Sequence, residues 1–116
     1  MNRLWRATIH SWNGLVAITR SEAAFRQELV ALALAIPLAL VLTGDTDKRF
    51  LLIGVIVVVL IVELLNTAIE KLADRVTRKK DSAIRDVKDM ASTAVGLSLL
   101  LAGAVWLWIF TEWLWP

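Results

Sequence analysis

The sequence predicts an all-α membrane protein, with an N-terminal amphipathic surface helix followed by three transmembrane helices. Three observations predict it. Of the 116 residues, 58% are hydrophobic and the mean hydropathy is +0.64, well above the roughly 45–50% apolar content of a soluble domain. The apolar residues gather in three blocks, and the charged residues, 21% of the total, fall between and beside those blocks. A separate soluble catalytic domain would by itself take on the order of 100 residues. One domain spanning 1–116 is therefore expected, with any chemistry placed on the membrane segments. Cysteine is absent, which excludes disulfides, thiolate metal sites and a cysteine nucleophile. A formal net charge of +2 is too small to indicate nucleic acid as a partner.

The surface helix is expected over 1–20. Trp5, Ile9, Trp12 and Val16 recur at helical spacing on one side, and Arg3, Arg6, His10 and Asn13 lie on the other, the pattern of a helix lying in a membrane interface. The segment does not read as a secretory signal, because the first long apolar run starts too late and no small-residue cleavage site follows it. The first span is expected at about 23–43. Residues 29–43 carry no charge, and Ala23, Ala24 and Phe25 extend the run past Arg26 and Glu28 when those side chains reach the interface, approaching the roughly 20 residues needed to cross. Pro37 is a candidate kink within it. The polar segment 44–49 is short, so the first two spans form an antiparallel hairpin. The second span, about 50–70, is apolar as far as Val62 and then carries Glu63, Asn66 and Glu70. A charged connector is expected over 71–89. The third span, about 90–111, has no charge and is long enough to cross unaided.

Lys and Arg counts give the orientation. Arg3, Arg6, Arg20 and Arg26 precede the first span, and Lys71, Arg75, Arg78, Lys79, Lys80, Arg85 and Lys88 fill the second connector. Only Lys48 and Arg49 lie on the opposite side. The N-terminus is thus expected in the cytoplasm and the C-terminus outside, with Trp106, Trp108, Trp113 and Trp115 forming an outer aromatic belt.

The stretch that carries chemistry is Glu63-Leu-Leu-Asn66-Thr-Ala-Ile-Glu70-Lys-Leu-Ala-Asp74. Its polar positions at i, i+3, i+7 and i+11 share one helix face. Counted from Phe50 at about 1.5 Å per residue, Glu63 lies about 20 Å inward, near the cytoplasmic edge of a roughly 30 Å core. An ionisable group at such a depth is costly unless paired or solvated, and is a functional candidate by default. The plainer account of one such Glu is a residue that pairs helices together; a stripe of four polar groups favours a site. Glu22 to Glu28 before the first span and Lys88-Asp89 before the third fall in the same layer. Oxygen ligands without His or Cys suit Mg²⁺, which takes one or two carboxylates plus substrate phosphates, and this inventory fits phosphoryl transfer. Neither G-x-x-x-x-G-K-[ST] nor G-x-G-x-x-G occurs, so any nucleotide binds without a soluble-kinase cradle.

These residues resemble the prokaryotic diacylglycerol kinases, small integral-membrane enzymes unrelated to soluble kinases. The resemblance rests on Glu22-Ala-Ala-Phe-Arg-Gln-Glu28, on Glu63-x-x-Asn66-x-Ala-Ile-Glu70 followed by Asp74-Arg75, and on Lys88-Asp89-Met90, with Ser11-Trp12-x-Gly14 upstream. It implies a homotrimer with active sites between neighbouring chains in the bacterial inner membrane, and ATP- and Mg²⁺-dependent phosphorylation of a lipid alcohol. By position it implies Glu63 as proton acceptor, Asn66 as an orienting group, and Glu22 and Glu70 as metal ligands that also serve the nucleotide. Lys88 and Asp89 are implied on ATP, with Lys79, Lys80 and Asp81 from the connector and Arg3 and His10 from the surface helix. His10 stands where the family carries tyrosine. Trp12, Ala24, Phe25, Arg26, Gln27, Glu28 and Ser92 are implied at the lipid, together with Glu63.

Plainer readings stand beside these. His10 fits a solvated surface histidine, the tryptophans fit interface anchors, and 78–80 fits a topology signal or a contact to anionic headgroups. Ser92 and Gly96, or Ser98 and Ala102, are small-residue packing pairs. Diacylglycerol is the expected acceptor. A polyprenol such as undecaprenol is the alternative within the fold, and a small proton-coupled transporter or a non-catalytic scaffold are the alternatives of another class.

Overall fold

The computed structural model describes residues 2–116, so the first residue of the expected surface helix lies outside the described residues. The chain forms four helices: α1 (Arg3–Ser21), α2 (Ala23–Leu42), α3 (Thr46–Val76) and α4 (Ser82–Leu114). Side chains chosen by the sequence start three of them. Asn2 Oδ1 accepts from the Trp5 amide at 2.9 Å, Asp45 Oδ1 from the Asp47 amide at 2.9 Å, and Asp81 Oδ1 from the Ile84 amide at 3.1 Å, each satisfying a first-turn donor that has no partner within the helix.

Between α1 and α2 the break is a single residue. Glu22 is extended, with φ −120° and ψ 114°, and its amide donates to the Ile18 carbonyl at 2.9 Å. Arg26, one turn into α2, reaches back so that Nη1 donates to the Thr19 carbonyl at 2.9 Å and the Arg20 carbonyl at 3.1 Å. A guanidinium on the last carbonyls of α1 complements the negative end of that helix and fixes its direction relative to α2. Arg49 does the same for α2, donating through Nε to the Thr43 carbonyl at 2.8 Å and through Nη2 to the Leu40 carbonyl at 3.2 Å.

α2, α3 and α4 are each long and apolar enough to cross a membrane, and α2 runs through Pro37 without a break. At 1.5 Å per residue α2 is about 30 Å long, matching the hydrocarbon core, whereas α3 and α4 reach about 46 and 50 Å. The molecule measures 54 Å along its longest axis. The charged connector expected over 71–89 is mostly helical: α3 stays helical to Val76, α4 starts at Ser82, and only 77–81 lies outside helix. Charged residues on both sides of that turn thus stand on two rigid helix ends that overreach the apolar core.

The helices meet along a thin seam. Ile18, Phe25 and Leu60 pack at the α1–α2–α3 junction, and Ala39, Leu52 and Ile109 pack near the opposite end. Between these lie Val55, Val59 and Ala102. Small residues at the seam (Ala35, Ala39, Ala102 and Ser98, all buried) let backbones approach, which is how helices associate where lipid is as apolar as leucine. Trp106 Nε1 adds a bond across the seam to the Leu52 carbonyl at 3.0 Å. Large side chains such as Leu34, Leu38, Leu100 and Leu107 remain outside, as expected of surfaces meant for acyl chains or for further copies of the helices.

Candidate active site

The helical register of α3 places Glu63, Asn66, Glu70 and Asp74 as a ladder that emerges gradually from the protein. Glu63 is only 8% exposed, Asn66 is half-buried, and Glu70 and Asp74 are exposed. Thr67, one turn beyond Glu63, is also buried at 5% exposure; sequence reading passed over it because a threonine in an apolar run carries no charge signal. Asn66 Nδ2 donates to Glu70 Oε1 at 3.4 Å.

Two further carboxylates face this ladder from α2 and its start. Glu22 and Glu70 lie within electrostatic reach of Glu63, and Glu63 within reach of Glu28. Glu22 is free to turn toward the ladder because its side chain makes no capping bond at the start of α2. Among the described residues, none of these four carboxylates is in a salt bridge. Glu28 Oε2 and Asn66 Oδ1 are buried with no hydrogen-bond partner. Buried acceptors are nearly always satisfied in folded proteins, so two of them beside a buried glutamate single this place out as a polar site.

Beyond the ladder, Asp74 meets α4. Lys88 Nζ donates to Asp74 Oδ1 at 2.6 Å, and the overreaching helix ends and the 77–81 turn enclose a concavity of about 530 Å³. It brings together Arg78, Lys79, Lys80, Asp81 and Lys88, all singled out from sequence, with Arg85, which sequence reading used only for orientation. Arg85 and Lys88 are three residues apart on α4, a same-face spacing that becomes readable once Asp81 is recognised as the cap of that helix. Asp89 is exposed on α4 but does not line the concavity.

The lipid-facing expectations divide. Trp12 lines an apolar groove of about 370 Å³ with Leu15, Val16, Thr19, Arg20 and Leu29. The side chain of Phe25, implied at the lipid, is 1% exposed and packed with Ile18 and Leu60. Arg26 is occupied in capping α1. Ala24, Gln27 and Ser92 are exposed on α2 and α4 and lie outside the groove. Arg3 and His10 are exposed on α1 and line neither concavity; they sit about 22 and 12 Å along the helix from Ile18, where α1 meets the bundle.

Among the described residues no three His, Cys, Asp or Glu side chains converge as a ready metal cage. The donor set nevertheless suits Mg²⁺, because that ion needs only one or two carboxylates when phosphate oxygens and water complete its shell. The chemistry of the site is thus a buried carboxylate with acidic neighbours, next to a basic concavity.

The fold defines a small multi-pass membrane protein with three candidate spans and a cluster of carboxylates at one end. The chain belongs to the prokaryotic diacylglycerol kinase family, whose model matches residues 9–110. It is 42% identical over 104 residues to the diacylglycerol kinase of Escherichia coli, covering 90% of this chain and 85% of that protein. The enzyme of the same name from Pseudomonas aeruginosa is 39% identical over 106 residues, covering 91% and 86%. That of Haemophilus influenzae is 31% identical over 106 residues, covering 91% and 90%.

Proposed function

We propose that this chain transfers the γ-phosphoryl group of ATP to the free hydroxyl of 1,2-diacylglycerol, giving phosphatidic acid and ADP. It acts in the bacterial inner membrane with its N-terminus in the cytoplasm, its C-terminus outside and α1 lying on the inner surface. The observation that carries the reading is the position of Glu63, nearly buried yet within electrostatic reach of Glu22 and Glu70, at the apolar end of a ladder whose wet end adjoins five cations.

The residues divide the work by depth. Glu63 accepts the proton of the lipid hydroxyl as its oxygen attacks the γ-phosphorus and the bond to the β-phosphate oxygen breaks. Asn66 holds Glu70 in place through its amide and offers a buried carbonyl oxygen to the lipid headgroup. Glu28, across from Glu63 on α2, is the second acceptor for that headgroup. Glu22 and Glu70 would hold Mg²⁺, which when bound neutralises charge on the phosphates. Glu70 is one turn from Asp74, and Asp74 holds Lys88, so the ladder leads from the lipid hydroxyl to the cations that receive the phosphate chain. Lys79, Lys80, Asp81 and Asp89 complete the nucleotide side, while Trp12 and its groove seat an acyl chain. Assembly as a homotrimer brings Arg3 and His10 of one chain toward the site of another and covers part of the apolar surface left open on a single chain.

Diacylglycerol is favoured over undecaprenol because the relatives named above are diacylglycerol kinases. A proton-coupled transporter is disfavoured because its ionisable site belongs near the bilayer midplane, whereas this ladder runs out into water. Labelled ATP offered with each lipid in mixed micelles, with and without Mg²⁺, tests the reading. Metal-dependent labelling of diacylglycerol is expected, and preference for the polyprenol would overturn the acceptor assignment.

A further inference from the structure

Glu22 is the single extended residue between α1 and α2, and the segment just before it is gripped from two directions. From α2, Arg26 Nη1 donates to the Thr19 carbonyl at 2.9 Å and the Arg20 carbonyl at 3.1 Å. From α3, Lys71 Nζ donates to Ser21 Oγ at 3.2 Å. Glu22 is tied at both of its peptide groups: its amide donates to the Ile18 carbonyl at 2.9 Å, and its carbonyl accepts the Arg26 amide at 3.3 Å. Ile18 and Phe25, 4% and 1% exposed, flank the break and pack with Leu60 of α3.

A one-residue break is a hinge by default, because the chain has only two soft dihedrals per residue and those of Glu22 set the angle between α1 and α2. Each of these contacts restrains that angle. The Lys71 bond does one thing more. Ser21 precedes Glu22 and Lys71 follows Glu70, so this bond joins the immediate neighbours of two carboxylates that both lie within electrostatic reach of Glu63. Metal ligands are held at their working separation by the groups bonded around them, and losing such a partner typically costs about 10–100-fold in metal affinity.

We infer that Arg26 and Lys71 are positioning residues: by gripping residues 19–21 they hold Glu22 at the distance from Glu70 that one Mg²⁺ requires. The inference rests on the assignment of Glu22 and Glu70 as metal ligands in the proposed function. It gives Arg26 a task at the metal, where its place in the family motif implies one at the lipid. Arg26 carries more of that task than Lys71, since it makes two charge-assisted bonds to helix-end carbonyls and Lys71 makes one bond to an exposed hydroxyl.

Mn²⁺ replaces Mg²⁺ in the test, its binding to the full-length protein in micelles followed by electron paramagnetic resonance with ADP present. Arg26→Gln should weaken Mn²⁺ binding by about tenfold, while KM for diacylglycerol stays where it is in the wild type. Lys71→Met and Ser21→Ala should each weaken it by about two- to fivefold, the worth of one exposed hydrogen bond. The double variant Ser21→Ala/Lys71→Met should bind no more weakly than either single variant, and Lys71→Arg should bind as the wild type does. In a Glu22→Gln background, Arg26→Gln should cause no further loss, because the residue it positions is already gone. Ser21 and Lys71 are exposed, so their variants keep the test open should Arg26→Gln fail to fold. Wild-type Mn²⁺ affinity in Lys71→Met and Arg26→Gln would overturn the inference, as would an undiminished effect of Arg26→Gln once Glu22 is replaced. A raised KM for diacylglycerol at wild-type Mn²⁺ affinity would return Arg26 to the lipid. Unchanged Mn²⁺ binding by Glu22→Gln alone would instead remove Glu22 as a ligand, and with it the metal assignment on which the inference rests.

Discussion

The two ends of the helix bundle treat charge in opposite ways. At the end near the α2–α3 turn, charged groups are used up in holding helices together. Lys48 Nζ bonds Glu112 Oε2 at 2.5 Å and lies 5.4 Å from the Trp108 ring centre, Trp108 Nε1 donates to Glu112 Oε1 at 3.1 Å, and Arg49 caps α2. At the opposite end Glu22, Glu28, Glu63 and Glu70 form no salt bridge among the described residues, and two buried acceptors have no hydrogen-bond partner. Lys71 and Arg26 at that end bond Ser21 Oγ and the last carbonyls of α1 instead of the acids, and five further cations stand around the 77–81 turn. A chain selected only for stability would interleave these acids and bases. Keeping them apart costs stability and is the kind of local inconsistency that functional sites display.

Substitutions can break or sharpen this contrast. The largest effect is expected from Glu63→Gln, which keeps the shape but removes the proton acceptor: kcat should fall by about 10²–10⁴-fold, the usual worth of general base catalysis, with the oligomer unchanged by light scattering. Wild-type turnover by that variant would remove Glu63 from the mechanism. Next, Glu70→Gln and Glu22→Gln should each raise the Mg²⁺ concentration needed for half-maximal rate by at least the roughly 10–100-fold typical of losing even an outer-shell partner. An unchanged Mg²⁺ titration would place the metal elsewhere. A smaller change is expected from Asp74→Asn. Its ion pair with Lys88 is half-exposed, so it contributes little to folding, and its loss frees Lys88 for phosphate; KM for ATP should drop a few-fold at unchanged kcat. A rise in KM would show instead that Asp74 positions Lys88.

Substitutions at the other end should touch stability alone. Trp106→Phe removes the bond to the Leu52 carbonyl and should lower resistance to denaturant by roughly 0.6–1 kcal/mol, the range for hydrogen bonds between membrane helices, with kcat preserved. Smallest of all is Lys48→Ala. An exposed pair contributes little, so neither the rate nor the thermal midpoint should move appreciably, and a clear loss of activity would make the outer end part of the site.

Much of the fold was legible in the sequence because the signals are long and redundant. Three apolar blocks set against a fixed bilayer thickness give three helices, and the i, i+3, i+7, i+11 spacing from Glu63 to Asp74 survives any error in helix ends. What misled was charge. The segment 71–89 reads as a connector by composition, yet α3 and α4 continue through most of it, because solvated Lys, Arg and Asp are tolerated in helix ends that project into water. The sequence also leaves the packing of Phe25 unread: beside the sharp Glu22 break its ring fills the α1–α2–α3 junction.

The sequence by itself determined how many helices there are, which of them are apolar enough to span, and which face of α3 carries the acids, since these follow from composition and from the 3.6-residue period alone. Only the tertiary structure decided that Glu28 comes within electrostatic reach of Glu63, that Arg26 is spent on the end of α1, and that Arg78 and Arg85 join Lys88 around one concavity. Those facts depend on how separate helices are turned toward one another. That rotation is set by the small residues of the seam and the caps at each break, acting together across distances no local pattern encodes.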